Sequence, residues 1–233
     1  MSSYPKILQM LEIVADHLGE ELLAKMAFVG GCTTGLLITD ALVLEQIRAT
    51  DDVDVIAEVL GHGDYARLQQ QLRARGFRES SEDEVVCRWR LNSLIVDIMP
   101  TDERILGFSN RWYPVALASA QWYQLSVNRR IRVVSPVYFL ATKIDAFQHR
   151  GNQDFLASRD MEDILSLIDG RENLCDEVLI ASDDVRLAIA EAINGFLQAS
   201  DFEYAVQSIA QDFQREQLLF KRLDKLTSRL NRV

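Results

Sequence analysis

At Ser135-Pro136 the texture of the chain changes, and no other feature restricts its fold as much. Before this point, short apolar runs alternate with helical stretches. After it, "PVYFLATKIDAFQHR", "SRDMEDILSLI", "SDDVRLAIAEAINGFLQ", "DFEYAVQSIA" and "FQREQLLFKRLDKLTSRL" all carry apolar residues at helical spacing, with no strand signal among them. Segregation of this kind belongs to the α+β class. The expectation is an α/β head over residues 1–135 and a helical C-terminal domain over 136–233.

Within the head, residues 5–20 carry Ile7, Leu8, Leu11, Ile13, Val14 and Leu18 at roughly helical spacing. "AFVGG" reads as a short strand broken by two glycines, and "TTGLLI" starts a helix with Thr33 or Thr34 as its cap. "DVDVIAEV" is the next strand, and "GDYARLQQQLRARG" is a helix stopped by Gly76. "VVCRWRL" and "SLIVDIMP" form a hairpin turned at Asn92-Ser93, and "QWYQLSVNRRIRVVS" forms another.

The strand "DVDVIAEV" carries an anomaly at its entrance. Asp51, Asp52 and Asp54 crowd the start of a segment whose next residues are apolar. Carboxylates this close repel and lose hydration when partly buried, so they call for a cation, either a metal ion or an arginine. Residues two apart on a strand share a face, which puts Asp52 and Asp54 together and Val53 and Val55 opposite. Asp97, between Val96 and Ile98 in "LIVDIMP", would stand beside that pair if the two strands are neighbours. Three carboxylates with no histidine or cysteine form a hard-oxygen site suited to magnesium or manganese. The Gly30-Gly31 turn, opening into a helix, is a ready anion site that a phosphate can approach closely.

Charge narrows the partners. The net charge is -10, against a broad phosphate-binding surface. It is unevenly spread: residues 67–132 hold 11 arginines and 7 acids, while 160–212 hold 2 basic and 13 acidic residues. One half could face a polyphosphate and the other a basic partner, or both could be solvated faces. Cys32, Cys87 and Cys175 have no metal-ligand spacing and read as packing residues in a reducing compartment. No signal peptide and no run of about 18 apolar residues is present, so a cytoplasmic, non-membrane protein is expected.

Taken in order, "VGG", "RATDDVDVI" and "IVDIM" resemble the nucleotidyltransferase superfamily that includes DNA polymerase β, CCA-adding enzymes and aminoglycoside nucleotidyltransferases. The form Arg48-x-Thr50-x-Asp52-x-Asp54 is similar to the AbiEii-type branch, which includes toxins of toxin-antitoxin systems. That branch also carries a Lys-x6-Arg helix, here Lys143 and Arg150, followed by a helix with an Asp, here Asp160 or Asp163. The resemblance spans about residues 28–168. It implies a nucleotidyltransferase-type mixed β-sheet head with flanking helices, followed by a helical C-terminal bundle.

The same resemblance implies an enzyme that moves an NMP from an NTP to an acceptor hydroxyl and releases pyrophosphate. Asp52, Asp54 and Asp97 would hold magnesium or manganese. Gly30 and Gly31, helped by Thr33 or Thr34, would cradle the triphosphate, and Lys143 and Arg150 would engage it or the acceptor from one helix face. Cys32 departs from the pattern, occupying a place where a small hydroxyl residue often helps hold phosphate. Arg48 either belongs to the motif or pairs structurally with the acidic cluster; Asp160 and Asp163 either carry the branch's last acid or complement a helix dipole. The aromatic pairs Trp112-Tyr113 and Trp122-Tyr123 either pack in the core or stack on a base. Acceptors consistent with the resemblance are an RNA or tRNA end, a small molecule of the antibiotic type, or a protein, and a toxin would have an antitoxin partner. The alternative from another class is a nucleotide-binding protein without turnover.

Overall fold

The computed structural model describes residues 3–81, 83, 85–150 and 154–228. The chain opens with helix α1 (Tyr4–Leu23), strand β1 (Met26–Val29) and a 3-10 turn (Gly31–Thr33), followed by α2 (Thr34–Leu37) and α3 (Ala41–Gln46). Strand β2 (Asp52–Ala57) and α4 (His62–Ala74) precede the hairpin of β3 (Arg88–Leu91) and β4 (Leu94–Pro100). Short helices α5 (Glu103–Leu106) and α6 (Tyr113–Ala118) lead to the hairpin of β5 (Gln121–Ser126) and β6 (Arg129–Val133). Six helices complete the described chain: α7 (Pro136–His149), α8 (Arg159–Gly170), α9 (Leu174–Ile180), α10 (Asp183–Leu197), α11 (Phe202–Ile209) and α12 (Phe213–Thr227).

The protein is α+β and forms two compact units. The first comprises residues 1–33 and 48–135, the second 34–47 and 136–233. The stretch 34–47, read from sequence as part of the head, therefore belongs with the helices. The contacts that place it there come from far along the chain. Thr39 and Asp40 donate their backbone N–H groups to the Gly170 carbonyl at 2.9 Å each. Arg171 donates to the Leu37 carbonyl at 2.7 Å, and Arg215 joins Asp40 to Asp169 at 2.8 and 2.6 Å. Gly170 has no room for a side chain: a Cβ would come within 2.9 Å of Ile38 and Val43.

In the first unit, six strands form one mixed sheet in the order β3-β4-β2-β1-β6-β5. β2 lies antiparallel to β1 and parallel to β4, while β6 lies parallel to β1. Both hairpins expected from sequence are present. Asn92, the residue type after glycine that best tolerates a positive φ, takes φ 54° in the first of them. α1 buries Ile7, Leu11, Val14 and Leu18 through one face, as its 3.6-residue periodicity requires. In the second unit the phenylalanines Phe147, Phe155, Phe196 and Phe202 stack with centroids 5.1 to 5.8 Å apart. Among the described residues no helix is long and apolar enough to cross a membrane.

All three cysteines are buried and unpaired with one another. Burial pushes the Cys87 thiol up to about 11, and the Asp97 and Asp54 charges act in the same direction. A disulfide-exchange reagent such as DTNB at pH 8 is expected to leave the folded protein unlabelled and to titrate three thiols in denaturant. Rapid labelling of the native protein would show that one cysteine is reactive rather than packed.

Candidate active site

Alternation along β2 sends Val53 and Val55 into the core and turns Asp52 and Asp54 to the other face, where both are half-buried. β4 sets Asp97 directly beside Asp54, and β3 sets Arg88 directly beside Asp97. Cross-strand neighbours in register point to the same face. Arg88, Asp97 and Asp54 therefore make one row across three strands, with Asp52 two residues along from it. Like charges at adjacent sheet positions destabilise each other, and here a cation is built into the row. Arg88 donates through Nε to Asp97 Oδ1 at 2.9 Å and through Nη2 to Oδ2 at 2.8 Å. The fork is bidentate and largely shielded, with side chains 24% and 11% exposed. Its hydrogen bonds to Asp97 hold the Arg88 guanidinium above its ordinary pKa despite partial burial.

On the other side of the row, β1 ends at Val29 opposite Asp54, and the chain turns at Gly30 with φ +75°. A Cβ on Gly30 would fall inside the Asp54 carboxyl group, 2.6 Å from Cγ and 2.8 Å from Cβ. The glycine is required twice there, by its backbone angle and by the carboxylate resting on it. Gly31 and Thr33 lie in the buried 3-10 turn that follows. Cys32 donates its thiol to the Val29 carbonyl at 3.2 Å, and Thr33 donates its hydroxyl to the Gly30 carbonyl at 2.9 Å. Thr50 donates to Asp52 Oδ1 at 2.5 Å. Arg48 is half-buried, its guanidinium donating to the Ala49 carbonyl at 3.4 Å.

The remaining expected site residues lie in the second unit. Lys143, on α7, is buried, and its ammonium reaches Asp160 at 2.8 Å and Asp163 at 2.7 Å, both on α8. Thr34 donates its hydroxyl to Asp163 at 3.2 Å, so Thr34, Lys143, Asp160 and Asp163 form one network, buried at Thr34, Lys143 and Asp163 and half-buried at Asp160. Burial by itself would depress the lysine pKa; the Asp163 and Asp160 charges outweigh it and raise it. Arg150, just past the end of α7, is exposed. The pair read from sequence as one phosphate-facing stripe thus divides into a buried cation held between two acids and a solvent-exposed one. The aromatic pairs split too: Tyr113 is buried with its hydroxyl on the Met99 sulfur, whereas Trp122 is 47% exposed on β5 beneath the Arg130 guanidinium.

The acidic residues suit a hard divalent cation in donor type, face and register: all are carboxylates, two side by side and the third on the same face. As the side chains stand, no three His, Cys, Asp or Glu residues among the described ones are disposed to hold a metal, and both Asp97 oxygens are on Arg88. The residues fit such an ion provided that Asp97 swings clear of the arginine or shares an oxygen with it. Arg88 is the residue that motif reading missed, although a signal for it was present. Counting outward from the turn at Asn92-Ser93 pairs Leu91 with Leu94 and, three steps on, Arg88 with Asp97. Comparison with models of protein families and with curated proteins returned no match for this chain.

Proposed function

We propose that this protein is a divalent-metal-dependent nucleotidyltransferase with a nucleotidyltransferase-type head. The observation that carries the proposal is the single-face grouping of Asp52, Asp54 and Asp97 with the Gly30 turn pressed against Asp54. The acceptor hydroxyl oxygen bonds to the α-phosphorus of the NTP, and the bond to the bridging oxygen breaks. Pyrophosphate leaves with the electron pair. A divalent cation on the three carboxylates would offset charge on the triphosphate and ease deprotonation of the acceptor. The backbone of the Gly30-Gly31 turn would meet the triphosphate, with Asp54 resting against Gly30 because that residue carries no Cβ, and Asp97, once drawn off Arg88, would orient the acceptor or take its proton.

One observation favours a compact acceptor over a long RNA track. Arg73, Arg75, Arg88, Arg90, Arg104 and Arg129 each sit in an ion pair with an acid of the same unit. Arginines committed in this way release few counterions from a phosphate backbone. A small molecule, a protein hydroxyl or a single nucleic-acid end suits the arrangement better. The acids of the second unit are likewise partly spent, on Lys143, Arg171 and Lys225 for example, which leaves less charge for a basic antitoxin than the composition suggests.

The test is label transfer. Purified protein, magnesium or manganese, each α-labelled NTP in turn and a mixture of RNA, protein and metabolites are incubated beside Asp52→Asn. Label is expected in one fraction with the native protein and in none with the variant. Equal labelling by the variant, or no transfer with any NTP, would sink the proposal.

A further inference from the structure

We propose that Arg88 is a built-in counter-ion that competes with a divalent cation for Asp97, and so sets how much metal the acidic site needs. The inference rests on reading the carboxylates as metal ligands. It concerns a residue that no part of the motif contains.

Each carboxylate of the group has its own partner in the first unit. Asp52 accepts from Thr50, Asp54 rests on the Gly30 turn, and Asp97 holds Arg88 through both oxygens. As the side chains stand, no trio of acids among the described residues is disposed around a common point. A cation gathering all three must draw Asp97 at least partly off a bidentate fork that is mostly shielded from solvent. Charge-assisted hydrogen bonds are roughly twice as strong as neutral ones, and a planar guanidinium is not displaced by small adjustments of geometry. The fork also sets a cation beside Asp97, which offsets the repulsion between Asp54 and Asp97, so the site is poised without metal. In this role Arg88 is a positioning residue, acting through Asp97.

The experiment is a direct titration of the full chain with manganese alone, followed by the electron paramagnetic resonance signal of the free ion. No nucleotide or turnover is involved. Arg88→Gln is expected to bind manganese about tenfold tighter than the native protein, a difference of roughly 1.4 kcal/mol. In Arg88→Gln/Asp97→Asn the gain is expected to vanish, because it runs through the Asp97 carboxylate. Arg88→Lys, which keeps the charge but cannot fork, is expected to fall between, and it decides the matter if the glutamine variant does not fold. Unchanged or weaker binding in the single variants would overturn the proposal, as would a gain that survives in the double variant. Because the readout is ion binding, its outcome is independent of whether label transfer is ever observed.

Discussion

Lys143→Met is expected to lower the unfolding free energy of the helical unit by about 3–5 kcal/mol, the usual cost of stripping one partner from a buried charge group. The ammonium is the cation between Asp160 and Asp163, and Asp163 is 2% exposed in its side chain. Methionine matches the lysine stem in length, so packing is nearly conserved and the loss reports the charge. Two carboxylates three residues apart on α8 would then lose the ammonium they share, with Thr34 as the remaining donor to Asp163 among the contacts described above. Urea denaturation followed by circular dichroism at 222 nm reads the helices. Tryptophan fluorescence reads the other unit, because Trp89, Trp112 and Trp122 all lie in the first. The native contribution is fully present below the ordinary lysine pKa near 10.4 and is lost only as pH rises through the raised folded value, so the deficit should be full at neutral pH. A shift under about 1 kcal/mol would mark Lys143 as a weakly coupled cation of the kind seen on surfaces, and would return it to the list of phosphate contacts.

Gly30→Ala is expected to do more damage to the site than to the fold. A non-glycine residue at φ +75° costs about 1–2 kcal/mol before any clash. The new methyl group would occupy the Asp54 carboxyl position, so Asp54 must leave its rotamer or β1 must separate from β2. If Asp54 takes part in transfer, a displacement of this size should cost about a hundredfold in rate. Gly63→Ala, in α4, is the matched control, since nothing lies within 4 Å of its Cβ and its backbone is not left-handed. There alanine should be neutral or stabilising by up to about 1 kcal/mol, because helix propensity favours it. Equal and small effects at both positions would show that Asp54 adapts freely to a side chain at Gly30.

The two units were unequally legible. The hairpins, the face shared by Asp52 and Asp54 and the helical character after Ser135 follow from periods of two and 3.6 residues. The membership of residues 34–47 does not, because its partners Gly170, Arg171 and Arg215 lie more than a hundred positions away and nothing local announces them. The fate of Lys143 was hidden for a related reason. Spacing of seven residues puts Lys143 and Arg150 on one helix face, yet α7 is buried nearly all round along its middle, so that face meets protein at one end and solvent at the other.

Local chemistry therefore determined which residues could do anything: the alternation of β2, the glycine turn and the all-oxygen acids are properties of short segments. Which of them meet was decided by strand register, since the opposing partner of a residue depends on a turn several positions away and on the order of strands in the sheet. Register answered the question posed by the crowded aspartates for Asp97, with an arginine in contact with both oxygens. Asp54 carries the remaining negative charge of the row, with Asp52 two residues along, and only the packed sheet sets Asp54 beside the glycine turn and next to that arginine-held acid.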